Sequence, residues 1–65
     1  MSDLETLKAE LKKLSAKAIA AKMDLHDLAE ELPVGWEKIR DVAERAFQAY
    51  KTLSEARLRV AAAGE

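Results

Sequence analysis

A single histidine lies among carboxylates near the middle of this chain, and these side chains are the best candidates for chemistry in the sequence. His26 and Glu30 are four residues apart, so a helix would place them on one face, with Asp27 beside them and Asp24 one turn earlier. Imidazole and carboxylate groups suit nickel, zinc or ferrous iron. We therefore predict a divalent-metal site formed by His26, Asp27 and Glu30, whose coordination sphere a dimer could complete.

The competing explanation for these acids is electrostatic. They crowd the last turns of a predicted helix, where the helix dipole prefers cations: Asp24, Asp27, Glu30 and Glu31. In an antiparallel hairpin, Lys38, Arg40 and Arg45 would lie across from them, and salt bridges would offset the dipole without a metal. The chain has no HxxxH or CxxC spacing. Both explanations stay open, and no cofactor is certain.

Enzymatic chemistry has little support in the sequence. There is no glycine-rich phosphate loop, and one histidine with exposed hydroxyls is a poor basis for a nucleophile–base–orienter set. We therefore expect no catalytic residues and no enzyme activity. Nucleic-acid binding is also disfavoured, because the formal net charge is −1 and lysines and acids lie at opposite ends of the first helical segment.

Two helices that would position these residues are predicted by a row of apolar residues spaced alternately three and four positions apart, which we call the seam. It runs through Leu4, Leu7, Leu11, Leu14, Ala18, Ala21, Leu25, Leu28 and Leu32, and resumes at Ile39, Val42, Ala46, Ala49, Leu53, Ala56 and Val60. A repeat of about 3.5 residues is typical of helices that pack nearly parallel to each other. Pro33 and Gly35 separate the two segments. We predict an all-α, antiparallel two-helix hairpin in one domain, with helices at about 3–32 and 36–62 and a turn at 33–35.

Details within the seam add two local predictions. Ser2 and Glu5 have the spacing of a capping box at the start of the first helix. In the middle of the hairpin, Ala18 and Ala21 face a stretch of the second helix that also carries alanine, because residues whose numbers sum to about 68 lie opposite each other. We expect a narrow waist there, with Phe47 and Tyr50 filling it as one packing solution.

Apolar side chains also occur away from the seam, and one hairpin cannot bury them. They are Ile19, Met23, Trp36, Phe47 and Tyr50. The chain has 65 residues and no cysteine, and domains below roughly 70–80 residues usually need a disulfide, a metal or a partner for stability. We therefore predict that these residues mediate self-association into a four-helix bundle, most simply as a homodimer.

The cellular compartment is predicted from the absence of an apolar span, a signal-peptide layout and cysteine. It contains no apolar run of 18 residues, so we expect no membrane span. The first residues lack the basic-then-apolar layout of a signal peptide, and the absence of cysteine fits a reducing compartment. We expect a cytoplasmic protein.

The run from Lys22 to Pro33, closed by Trp36 and Glu37, resembles the signature of small two-helix proteins of unknown function encoded in bacterial nitrogen-fixation gene clusters. The resemblance extends over nearly the whole chain, to Leu53. That family is similar to Rop, the plasmid-copy-control protein, in forming antiparallel hairpins that associate, and its members have been proposed to handle metal near nitrogenase cofactor assembly.

The resemblance implies a non-enzymatic accessory protein of nitrogen fixation. It would act as a protein-interaction or metal-handling module, with nitrogenase or cofactor-assembly proteins as partners and the hairpin tip that bears His26 as its functional end. The alternative is a purely structural or RNA-binding Rop-like four-helix bundle without metal.

Overall fold

The computed structural model describes residues 2–64, and in this range the chain forms a hairpin of two long helices without a strand. Helix α1 spans Ser2–Glu31, a short 3₁₀ helix spans Trp36–Lys38, and helix α2 spans Ile39–Gly64. The molecule is a rod of 49 × 14 × 13 Å. Neither helix of the described range is long and apolar enough to cross a membrane. The predicted all-α antiparallel hairpin is confirmed.

The turn between the helices is built around Pro33 and Gly35. Leu32 joins Pro33 through a cis peptide bond, and α1 ends just before this pair because proline disfavours helical geometry in the residue before it. Gly35 has a φ of 79°, in the left-handed region, and caps the 3₁₀ helix, where the Lys38 amide donates to the Gly35 carbonyl at 2.9 Å. The second helical segment thus begins as 3₁₀ and becomes α-helical only at Ile39.

The capping box predicted from Ser2 and Glu5 would lie at the start of α1, at the other end of the hairpin. The Ser2 side chain lies outside the described residues, so the capping box stays a prediction. The helix itself has Asp3 and Glu5 in its first turn, where acidic side chains interact favourably with the dipole.

The core follows the predicted seam. The buried residues of the described range all occupy seam positions: Ala18, Val42, Ala46, Leu53 and Ala56. Most other seam residues are half-buried, whereas Leu25, Leu32 and Ile39 are more than a third exposed. Leu32 and Ile39 flank the turn, where no third element covers them. The core is therefore thin and made largely of small side chains.

The grooves between the helices agree with the predicted sum of about 68. Leu25 and Ala43 line one groove between the helices, while Leu11 and Arg57 line another nearer the chain ends. Ala18 is fully buried at the waist. The packing prediction for the aromatic residues was wrong, however, because Phe47 remains 60% exposed.

The reason lies in the position of Phe47 on α2. It follows the buried residue Ala46 directly, and one residue turns an α-helix by about 100°. Phe47 therefore points away from the seam, and Tyr50 is also more than a third exposed. Alanines are buried at the waist, and both rings remain exposed in the groove beside it.

Candidate functional site

The side chains predicted to mediate association all lie on the surface. Each is at least 39% exposed: Ile19, Met23, Trp36, Phe47 and Tyr50. The structure adds Leu58, whose side chain is 70% exposed and which sequence reasoning missed. The signal was available, because Leu58 follows Phe47 by eleven residues, which is close to three helical turns.

Two of these exposed residues, Phe47 and Tyr50, lie on one flank of the rod. Lys22 and Leu25 of α1 line a groove together with Phe47 and Tyr50 of α2. On an ideal helix Ile19 lies one turn before Lys22 on α1, and Leu58 lies about three turns after Phe47 on nearly the same side of α2. We call this surface the apolar flank: Ile19, Phe47, Tyr50 and Leu58.

The opposite flank has a different composition. The groove there is lined mainly by polar and charged side chains, among them Lys17, Arg45 and Thr52. Gln48, on the same side, donates a hydrogen bond of 2.9 Å to the Glu44 carboxylate. The first groove therefore carries two aromatic rings, whereas the second, which we call the polar flank, carries mostly charged and polar residues.

The exposed area of the chain is larger than its mass predicts. The hairpin exposes 5206 Å², whereas a compact monomer of 7.2 kDa is expected to expose about 4,100 Å². A typical protein–protein interface buries about 800 Å² on each partner. The surplus of about 1,100 Å² reflects the elongated shape of the rod and is larger than the area that one partner contributes to such an interface.

His26 lies between two carboxylates on the surface of α1. Its Nδ1 atom is 3.6 Å from Oδ1 of Asp27, and its Nε2 atom is 3.5 Å from Oε2 of Glu30. All three side chains are more than half exposed. These distances exceed those of good hydrogen bonds, and exposed ion pairs contribute little to stability. The structure thus brings the three predicted ligands near one another without building them into the core.

The metal prediction needs more ligands than one hairpin offers. Within residues 2–64, no group of three or more histidine, cysteine, aspartate or glutamate side chains has an arrangement that could hold a metal ion. Asp24, one turn earlier on α1, does not approach His26 within ion-pair distance. A metal site at His26, Asp27 and Glu30 therefore stays a prediction that depends on ligands from a second molecule.

The predicted salt bridges across the hairpin end do not form. In the part of the chain that the structure describes, no ion pair within 4.0 Å joins Lys38, Arg40 or Arg45 to an acid. All three basic side chains are exposed. The tip consequently keeps its acidic character: residues 24–41 contain two basic residues, Lys38 and Arg40, and six acids, Asp24, Asp27, Glu30, Glu31, Glu37 and Asp41.

Comparison with known proteins gives three kinds of match: a family profile, related sequences and a solved structure. The sequence profile of the Rop-like family matches residues 2–65. A UPF0437 protein of Azorhizobium caulinodans is 60% identical over 57 residues, which cover 88% of this chain and 83% of that protein.

Another relative carries information about its gene. A Frankia alni protein, named as a UPF0437 protein in the nifX–nifW intergenic region, is 48% identical over 52 residues. The match covers 80% of this chain and 63% of the Frankia protein, so this chain spans less than two thirds of that relative.

An NMR structure of a structural-genomics target shares the architecture. It superposes with a TM-score of 0.84 at 57% sequence identity, and the match covers 92% of this chain and 84% of that one. At this level of identity, the likeness extends to the sequence as well as to the fold.

Proposed function

This chain belongs to the Rop-like family and is one of the UPF0437 proteins, and we propose that it is a non-enzymatic accessory protein of nitrogen fixation that acts as a pair of hairpins. The observation that carries the pairing is the apolar flank. Its side chains lie on one side of the rod, and they are exposed although the molecule has only a thin core. Pairing through this flank would form a four-helix bundle.

The weakness of the single hairpin supports this proposal. In the described range, the only buried side chains larger than alanine are those of Val42 and Leu53. A second hairpin laid on the apolar flank would cover Phe47, Tyr50 and Leu58 and create a second apolar layer next to the first. Folding and association would then be coupled, as in many small helical proteins.

The proposed link to nitrogen fixation is supported by the gene context of a relative. The name of the Frankia alni protein places it in the nifX–nifW intergenic region. An accessory role fits the rod itself, which offers an extended surface and open grooves in place of an enclosed cavity. Nitrogenase or the proteins that assemble its cofactors are the proposed partners of the pair.

The pairing is tested by thermal unfolding over a range of protein concentrations. If folding requires two chains, the unfolding midpoint rises as the concentration is raised. A folded monomer whose midpoint does not change with concentration would contradict the proposal. A salt-sensitive shift of RNA in a gel assay would instead favour the RNA-binding alternative.

The cellular role is tested by deleting the gene in a nitrogen-fixing host and measuring acetylene reduction. We expect the wild-type chain to restore activity and Phe47→Asp to fail. The matched control is Thr52→Asp, which adds the same charge on the polar flank and should restore activity. Equal rescue by both variants would show that the apolar flank is not needed.

Metal handling is the second candidate function. The observation that favours it is the approach of two carboxylates to within 3.6 Å of the imidazole nitrogens of His26. Asp27 and Glu30 would then share the ion with groups from another molecule, because one hairpin supplies no complete set of ligands within its described residues. The ion itself would be nickel, zinc or ferrous iron.

A further inference from the structure

The turn of the hairpin carries a second exposed apolar surface. Of the ten large apolar side chains that are exposed in the described range, four lie within eight residues, and we call them the turn cluster: Leu32, Val34, Trp36 and Ile39. We propose that the turn cluster docks into a pocket of a different protein, with an apolar floor and a rim of lysine or arginine. This inference rests on the proposed accessory role and specifies the chemistry of the partner's surface.

Trp36 and Val34 form the centre of the turn cluster. Their side chains are 61% and 69% exposed, and only Gly35 separates them in the chain. A tryptophan can bury up to about 250 Å², so about 150 Å² of Trp36 is left for a partner to cover. Tryptophan is also among the side chains that contribute most to binding at protein interfaces. Trp36 is therefore the anchor of the proposed contact.

The backbone of the turn is ordered without a partner. The Val34 amide donates a hydrogen bond of 3.0 Å to the Glu31 carbonyl, and the Lys38 amide donates one of 2.9 Å to the Gly35 carbonyl. Gly35 also lies against α1, since a Cβ at this position would be 3.2 Å from Leu28 Cδ1. An ordered turn loses less conformational entropy on binding than a flexible segment does. The turn cluster is thus presented to a partner in a fixed arrangement.

The shape of the rod indicates how a partner must receive the turn cluster. The rod is 14 × 13 Å in cross-section. A flat surface placed against its end would therefore bury far less than about 800 Å², the area that each partner contributes to a typical interface. A concave pocket also covers the sides of the tip, where Glu30 and Asp41 are exposed. We therefore expect a pocket on the partner.

Charge indicates the class of partner. Residues 24–41 contain six acids and two basic residues, and exposed acids lie on both sides of the turn cluster, with Glu31 before it and Asp41 after it. Glu37 lies within the cluster, next to Trp36. Nucleic acids and anionic membrane surfaces are negatively charged, so these acids would be repelled by both. A protein pocket with a basic rim has the complementary charge.

The docking is tested by photo-cross-linking in nitrogen-fixing cells. Benzoylphenylalanine takes the place of Val34 in one chain and of Thr52, on the polar flank, in a control chain. Irradiation should link the first chain to a protein that the control does not reach, and mass spectrometry should locate the linked peptide in a pocket beside lysine or arginine. The absence of such a link, a link only to a second copy of this chain, or a link to an acidic surface would overturn the proposal.

Substitutions at the anchor and among the acids test the chemistry of this contact. In the chain with the photoreactive group at position 34, Trp36→Ala should lower the yield of the linked product at least about tenfold. Glu37→Lys should also lower it, whereas Glu55→Lys makes the same change of charge at an exposed position of α2 far from the turn and should leave it unchanged. An unchanged yield with either tip variant, or an equal loss with Glu37→Lys and Glu55→Lys, would contradict the proposed contact.

Two further measurements separate this inference from the proposed function. Sedimentation of Trp36→Ala should give the wild-type mass, and a smaller mass would place Trp36 in the pairing surface and overturn the inference. In the deletion host, we expect Trp36→Ala to fail to restore acetylene reduction. Equal rescue by Trp36→Ala and the wild type would contradict the docking and keep the accessory role. A deletion that leaves acetylene reduction unchanged would contradict the accessory role itself.

Discussion

Phe47 is the residue whose replacement tests the apolar flank most strongly. A buried phenylalanine removes 150–250 Å² from water, and Phe47 is 60% exposed in the hairpin, so a second copy has about 120 Å² of this side chain left to cover. At about 25 cal/mol per Å², this burial contributes about 3 kcal/mol per copy. A symmetric dimer contains two such side chains, and the loss of about 6 kcal/mol raises the dissociation constant about ten-thousandfold.

Phe47→Asp should reach at least this effect, because the new carboxylate would also be enclosed without a partner. Sedimentation velocity at micromolar concentration should show a dimer for the wild type and a monomer, or an unfolded chain, for the variant. Thr52→Asp is the control, since Thr52 lines the groove on the polar flank and the variant carries the same added charge. A Phe47→Asp protein with the mass and unfolding midpoint of the wild type would refute the reasoning.

Three further substitutions test separate parts of the hairpin. Ala21→Leu should overpack the alanine waist and cost about 1–3 kcal/mol of unfolding free energy in urea, whereas Ala20→Leu on the exposed surface should be tolerated; a stabilised Ala21→Leu protein would mean that the waist contains a cavity. Gly35→Ala should lower the unfolding free energy by about 1–2 kcal/mol, because Gly35 has a left-handed backbone conformation and the new Cβ would lie 3.2 Å from Leu28 Cδ1. Gly64→Ala is the control, since Gly64 has no neighbour within 4 Å. Equal stability of the two variants would contradict this account. His26→Ala should weaken nickel, zinc or ferrous-iron binding about tenfold in calorimetric titration while leaving helicity unchanged; equal weak binding by wild type and variant would end the metal-handling proposal.

The fold could be predicted from the sequence because the seam has one period throughout. The 3.5-residue spacing identifies the face of each helix that meets the other, and Pro33 with Gly35 marks the turn. Both signals are local, and no competing pattern exists in the chain. The buried set, from Ala18 to Ala56, falls entirely on positions that the spacing indicates.

The placement of the aromatic side chains could not be predicted in the same way. The register puts Phe47 at the height of the alanine waist, but height along the rod does not fix the direction of a side chain. Its rotation by about 100° from Ala46 decides that it stays outside the seam. Sequence reasoning about facing positions therefore needs the angular position of each residue as well as its level.

Only part of the geometry of the acidic tip could be predicted, because sequence spacing fixes contacts within one helix but not contacts between two elements. The four-residue spacing correctly brought His26 near Glu30, because that contact lies within one helix. Salt bridges from Lys38 or Arg45 would instead have to join the two helical segments, and none forms within the described residues. A fourth metal ligand likewise cannot come from Asp24, because a separation of two residues places it on another side of α1 from His26.

The central claim is that two hairpins pair through the apolar flank, and sedimentation equilibrium of the wild-type chain tests it most directly. The account predicts, at micromolar concentration, a mass twice that of the 7.2 kDa chain. A helical species that sediments with the mass of a single chain at all concentrations would contradict it.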